Sequence, residues 1–193
     1  MLIKDFGAAK GRLAPAMEPA SRRALALMTA GRALDAALAV GPTLAVCGSA
    51  EAAALAGARG AEVVVERDPR GQNSAATLGL AEVSRKGAGA ALLLSADLPL
   101  VDEAGLRGML AHDRESEPLA IAAAATGRQG TNALFLRPPG DFALHFGDAS
   151  LPRFAEEARR RGRRFIVHDD PTLALDLDEP SDLAAWQLLE PTA

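Results

Sequence analysis

Leu92-Leu93-Leu94-Ser95-Ala96-Asp97-Leu98-Pro99-Leu100 is the stretch from which the rest of the chain can be read. Three successive leucines are apolar on both sides of an extended backbone, as a central strand covered on both faces requires. Pro99 has no N–H to give to a ladder, so the strand stops before it. Asp97 stands between, a carboxylate just past the end of a buried strand. Ligands of open α/β sheets sit at that end. Alone, Asp97 fits a metal ligand or an ordinary cap or turn equally well.

The same punctuation recurs on either side. Short apolar runs at 43–47, 61–65, 90–95, 119–124, 133–136, 164–167 and 173–175 read as strands. Amphipathic stretches near 19–39, 50–58, 74–86, 103–114, 151–161 and 181–189 read as helices between them. Strand followed by helix, repeated, predicts an α/β sheet with crossovers packed on both faces. No linker or internal repeat divides the chain, and residues 1–193 read as one domain.

Composition narrows the function classes. With 49% hydrophobic and 24% charged residues the chain resembles a folded protein and not a disordered one. A domain of this length buries about 70% of its unfolded surface. No apolar run approaches the roughly 20 residues that span a bilayer, and the opening residues lack a secretory pattern. Cys47 is the only cysteine, which excludes an internal disulfide and fits a reducing cytoplasm. A net charge of −4 argues against nucleic acid as a partner. The expected protein binds neither nucleic acid nor membrane and is a monomer or a homodimer.

A second acidic feature is Leu173-Ala174-Leu175-Asp176-Leu177-Asp178-Glu179-Pro180. Residues two apart in extended backbone face the same way, so Asp176 and Asp178 crowd two like charges together. A cation between them relieves the repulsion, and magnesium takes oxygen ligands at roughly 2.1 Å while sharing its shell with substrate phosphates. Alternatively Asp178 caps the helix that begins after it. The opening segment, residues 4–13, carries Lys4, Lys10 and Arg12 among Gly7, Gly11 and small residues, a composition suited to phosphate oxygens. It lacks the Gly-Lys-Ser/Thr ending of a Walker loop. Two further loops are rich in donors: Gly130-Thr131-Asn132, where Thr131 binds a ligand or merely turns, and Phe146-Gly147-Asp148-Ala149-Ser150, where Ser150 stands at an N-cap position and binds an anion or merely caps. His112, His145 and His168 have no motif around them. The arginine-rich run 159–164 reads as a solvated helix end, and Trp186 as a core anchor of the last helix.

In their order, Lys-Asp-Phe…Ala-Lys-Gly-Arg-Leu, Gln-Asn-Ser-Ala, Ala-Asp-Leu-Pro-Leu, Gly-Thr-Asn-Ala-Leu, Phe-Gly…Ser and Leu-Asp-Leu-Asp-Glu-Pro-Ser-Asp-Leu resemble the 2-phospho-L-lactate guanylyltransferase family, which makes an activated precursor of a deazaflavin coenzyme. The likeness extends over nearly the whole chain. It implies a three-layer, Rossmann-like nucleotidyltransferase fold of the glycosyltransferase-A kind, with a mixed, mostly parallel sheet. The implied reaction moves GMP from GTP to a phosphorylated three-carbon acid: 2-phospho-L-lactate, phosphoenolpyruvate or 3-phospho-D-glycerate. Position by position, the resemblance implies two magnesium ions on Asp97, Asp176 and Asp178. It puts Lys4, Lys10, Arg12, Asn73 and Asp97 at the GTP, with Lys10, Arg12 and Asp97 catalytic. Thr131, Gly147 and Ser150 fall at the acceptor acid. Two departures stand out: fewer residues precede Lys4, and Gln129 occupies a position where glycine is common.

Such a transfer needs no general base, because a phosphate oxygen is already an anion near neutral pH. It needs cations, since two unit charges 4 Å apart repel by about 4 kcal/mol at an effective dielectric of 20. A molybdenum-cofactor-type guanylyl- or cytidylyltransferase is the nearest alternative, although such enzymes open on Leu-Ala-Gly-Gly where this chain has its cationic loop. A non-catalytic nucleotide-binding domain is the other.

Overall fold

The computed structural model describes residues 1–7, 9–66, 68, 70–127 and 129–189. Its strands are β1 (Leu2–Ile3), β2 (Leu44–Cys47), β3 (Glu62–Val65), β4 (Ala91–Leu94), β5 (Leu119–Ala124), β6 (Thr131–Arg137) and β7 (Arg164–His168). The first three pair in parallel, with Leu2 opposite Val46 and Val46 opposite Val64. A parallel bridge from Leu2 to Ser95 joins them to the other four. Read across, the order is β3-β2-β1-β4-β6-β5-β7, and β6 alone runs against its neighbours. The sheet is therefore mixed and mostly parallel, as expected.

The helices are α1 (Pro19–Val40), α2 (Ala50–Ala58), α3 (Gln72–Arg85), α4 (Glu103–Leu110), α5 (Ser150–Arg160), α6 (Pro171–Ala174) and α7 (Pro180–Leu189). Local chemistry sets several of their starts. The Ser49 hydroxyl accepts from the Ala52 N–H, and the Asp102 carboxylate from the Gly105 N–H at 2.8 Å. Pro19 opens α1 with its φ already helical.

The alternation of strand side chains sorts the core into two layers. Ala45, Cys47, Ile121, Ala123, Ala133 and Phe135 face α1, α2, α4 and α6. Ala120, Ala122, Leu134 and Leu136 face α3 and α5, where Phe142, Phe146 and Phe154 fill the remaining volume. Helix, sheet, helix is the resulting stack.

Three expectations need correction. The apolar run 173–175 is no strand: Asp170 accepts from the Thr172 N–H at 2.8 Å and Pro171 takes the first helical position, so α6 forms instead. Asn132 Nδ2 donates to the carbonyls of Leu173 and Ala174 at 2.9 and 3.1 Å, and the Thr126 N–H donates to that of Ala174. The arginine run is a solvated helix end at Arg159, Arg160, Arg161 and Arg164, all exposed, and departs from that reading only at Arg163. Arg159, Arg160 and Arg161 pair with Glu156 or Glu157 along α5, while Arg163 is buried and donates to the carbonyls of Pro138 and Gly140. Trp186 is half-buried beside Leu13, Leu25 and Leu177 at the edge of the core. Among the described residues no helix is long and apolar enough to cross a membrane.

Candidate active site

Strand order reverses between β1 and β4, and the crevice beyond their carboxyl ends is where an open α/β sheet takes its ligand. A cavity of about 680 Å³ occupies it. Because β6 is reversed, its amino end, not its carboxyl end, reaches this rim, which brings Thr131 and Asn132 beside Ser95 and Asp97.

One wall is the opening loop. Phe6 and Leu13 are buried and anchor its two ends. Gly48 lets it pass close over the end of β2: a Cβ there would stand 3.3 Å from the Asp5 nitrogen. Lys10 adopts the left-handed conformation (φ 59°, ψ 30°), and its side chain turns inward until only 5% is exposed. Its ammonium stands 3.6 Å from Asp97 Oδ2 and has no hydrogen-bond partner. Lys4 and Arg12 line the same cavity from exposed positions, Arg12 with its guanidinium 3.7 Å from Glu179 Oε1.

The acidic residues enter from two sides. Asp97 follows β4, with Oδ1 buried and unpartnered. Asp176 and Asp178 lie on irregular chain between α6 and α7, and both line the cavity. Leu177 between them is 0% exposed and packs the other way, on Leu13 and Leu25. From within α7, Asp182 Oδ2 reaches back to accept from the N–H groups of Asp178 and Glu179 at 2.9 and 2.7 Å, which fixes the backbone just ahead of the helix. Asp97, Asp176 and Asp178 thus share one cavity without forming a ready cage: among the described residues no three acidic, histidine or cysteine side chains converge to hold an ion. Magnesium asks for less, since it is commonly bound by one or two carboxylates with substrate phosphates completing the shell. The donors are all hard oxygens, and the orphaned Asp97 Oδ1 is placed to be one of them. The residues fit the ion.

The far wall carries two buried hydroxyls. Thr131 and Ser150 are 7% and 1% exposed, both line the cavity, and neither Oγ1 nor Oγ has a partner. Burying an unpaired hydroxyl costs about 1–3 kcal/mol, which two residues facing one cavity would recover on a polar ligand. Ser150 is not the N-cap expected of it. Ala149 holds that place in the left-handed conformation at φ 51°, and Ser150 is the first helical residue, its N–H donating to Gly147. Gly147, at φ 123°, lines the cavity as well.

Asn73 is placed differently from the other expected contacts. It is not among the residues lining the cavity, and its carboxamide is engaged with the backbone of Phe146. The histidines stay outside too: His112 and His168 contact each other at 3.2 Å, and burial together with His112 pushes the His168 imidazole below its ordinary value. Seven polar residues of the cavity were missed, namely Asp5, Thr29, Glu66, Gln72, Ser95, Asn132 and Asp148. Glu66 was within reach of the rule applied to Asp97, since it directly follows the apolar run of β3. Among the described residues, six carboxylates line the cavity together with the cations Lys4, Lys10 and Arg12.

The family described as "Guanylyl transferase CofC like" matches residues 1–189. A phosphoenolpyruvate guanylyltransferase of Rubrobacter xylanophilus is 37% identical over 190 residues, covering 94% of this chain and 89% of that protein. The 3-phospho-D-glycerate guanylyltransferase of Phenylobacterium zucineum is 34% identical, covering 90% and 82%. The 2-phospho-L-lactate guanylyltransferase of Methanothermobacter thermautotrophicus is 31% identical, covering 94% and 79%. Among solved structures, a nominal nucleotide-diphospho-sugar transferase from Desulfovibrio desulfuricans G20 superposes with a TM-score of 0.78 at 14% identity, over 96% of this chain and 83% of that one. A cytidylyltransferase from Leptospira borgpetersenii does so at 0.55 and 12%, over 96% and 83%. These two speak for the fold alone, a nucleotidyltransferase α/β fold. By its match along almost its entire length, the chain belongs to the CofC-like guanylyltransferase family.

Proposed function

We propose that this enzyme moves GMP from GTP to a phosphorylated three-carbon acid and releases pyrophosphate, as a step toward a deazaflavin coenzyme. One observation carries the reading. A single cavity joins the Lys10–Asp97 pair at the switch point to the unpartnered hydroxyls of Thr131 and Ser150 on the opposite wall. Such a cavity suits two anions held side by side.

In the proposed reaction an oxygen of the acceptor phosphate attacks the α-phosphorus of GTP. A phosphorus–oxygen bond forms there, the bond to the bridging oxygen of the β-phosphate breaks, and its electron pair leaves with pyrophosphate. Lys10 neutralises the nucleotide phosphates from its buried position, with Lys4 and Arg12 meeting them at the mouth. Thr131, Ser150 and the Gly147 backbone hold the acid so that its phosphate lies in line. Asp97, Asp176 and Asp178 would hold two magnesium ions, which supply charge neutralisation to both phosphates. No histidine lines the cavity, and none is required when the nucleophile is already an anion.

The test is pyrophosphate release from GTP and magnesium with phosphoenolpyruvate, 2-phospho-L-lactate or 3-phospho-D-glycerate supplied separately. Release with at least one acid is expected. Silence with all three would remove the reading, and release with CTP or ATP but not GTP would correct the base.

A further inference from the structure

We propose that Asn73 is a positioning residue that ties the acceptor loop, 146–150, to the first turn of α3; this rests on the guanylyl-transfer reading of the cavity. Asn73 Nδ2 donates to the Phe146 carbonyl at 3.0 Å, and the Phe146 N–H donates to Asn73 Oδ1 at 2.8 Å. Both polar groups of one backbone residue are thus matched by both ends of one carboxamide, across 73 residues of sequence. A side chain here does what a neighbouring strand does in a ladder.

The loop needs such help. Gly147 and Ala149 sit at φ 123° and 51°, the left-handed half of backbone space, which alanine adopts only when its surroundings impose it. Internally the segment has the Ser150 N–H to Gly147 carbonyl bond at 3.2 Å. The Phe146 ring is buried edge-on against Phe154, with centroids 5.1 Å apart. The ring fixes one end of Phe146, and the Asn73 clamp fixes the orientation of its peptide. From there the chain turns directly into Gly147 and Ser150, both on the cavity wall. On the other side of the clamp, Gly71 and Gln72 form part of the same wall. Asn73 therefore joins two segments of the cavity wall without lining it.

Helix propensity separates this role from a purely structural one. Asn73 is in the first turn of α3 and largely exposed, and alanine is the better helix former there, so Asn73→Ala should keep the fold. The expected result is a rise of about tenfold or more in KM for the acid, the scale of losing two hydrogen bonds, with KM for GTP changed far less. Asn73→Asp keeps the shape and the acceptor but sets a carboxylate oxygen against the Phe146 carbonyl; it should behave like the alanine variant or worse. Hydrogen–deuterium exchange without substrates reads the clamp independently of the reaction: amides of 143–151 should exchange faster in both variants, while those of β5 do not. Unchanged exchange in 143–151 overturns the proposal. So does a higher KM for GTP with an unaltered KM for the acid, which would make Asn73 a nucleotide contact. If the unsubstituted enzyme turns over none of the three acids, the functional reading fails, while the exchange result still decides the clamp.

Discussion

The backbone N–H of Leu177 donates to the carbonyl oxygen of Asp97 across 3.2 Å. Two acidic segments that are 80 residues apart in sequence are pinned to each other by that bond. Packing supports it from behind, because the Leu177 side chain is fully buried on Leu13 and Leu25. Leu177→Ala should cost about 2–5 kcal/mol of stability and also loosen the spacing between Asp97 and its partners. The magnesium concentration for half-maximal activity should rise several-fold, read from a metal titration of the folded variant. A destabilised variant with an unchanged magnesium requirement would separate the two roles.

Asp97→Asn keeps the shape of the side chain and removes its charge. Turnover should fall by about 10²–10³-fold, the scale of losing one preorganised electrostatic contact, with the far-ultraviolet circular dichroism unchanged. Chelation by EDTA should silence the unsubstituted enzyme, and added magnesium should restore it. Activity that survives both treatments would detach the metal from Asp97.

Ser150→Ala and Thr131→Val replace hydroxyls that are buried without partners. Removing an unpaired polar group from the interior lifts a desolvation cost, so both variants should melt at the same temperature as the parent or above it. Binding should move the opposite way, with KM for the acid raised roughly 10- to 100-fold, as for lost hydrogen bonds to a charged ligand. Calorimetry and steady-state kinetics on the same samples check the opposition.

Far from the cavity, Arg137 grips Asp113 through Nε at 2.9 Å and Nη2 at 2.5 Å. Hydrogen bonds from the guanidinium hold the Asp113 carboxyl below its ordinary value of 3.8. A carboxyl depressed in the folded state stabilises above its unfolded pKa and loses that contribution as pH falls through the folded one. Asp113→Asn should therefore melt below the parent at pH 7, and the gap should close as pH drops below 3.8. A gap that persists in acid would assign the effect to packing.

Much of this was legible in the residues. The runs 119–124 and 50–58 coincide with β5 and α2, because a short run apolar at every position and a Ser49 cap leave little freedom. Asp97 was found by its place after Leu92-Leu93-Leu94. Elsewhere the signal was too short or too distant. Two residues, Leu2–Ile3, are too few to show a period, yet they pair with β2 and form one side of the crevice. The run 173–175 is apolar enough for a strand, and the Asp170-Pro171 start decided for a helix. Ser150 looked like a cap because it precedes an amphipathic stretch. Its neighbour Ala149 takes the cap position only through a left-handed turn that no composition announces. The Asn73–Phe146 clamp joins a helix start to a loop that lies far from it in the chain, a contact invisible to local reading.

The single reversed strand separates the two walls to which the proposed reaction gives different tasks. Since β5 and β6 are adjacent and antiparallel, with the Ala125 N–H donating to the Gly130 carbonyl between them, the Thr131 side of the pocket follows β5 directly, whereas the Lys10 and Asp97 side is built from parallel strands tied together by long helical crossovers. A hairpin turn can gain or lose residues without redrawing a sheet; a crossover cannot. On the proposed reading, descendants of this architecture would retune which small acid they accept by altering one turn while the apparatus for the nucleotide stays fixed.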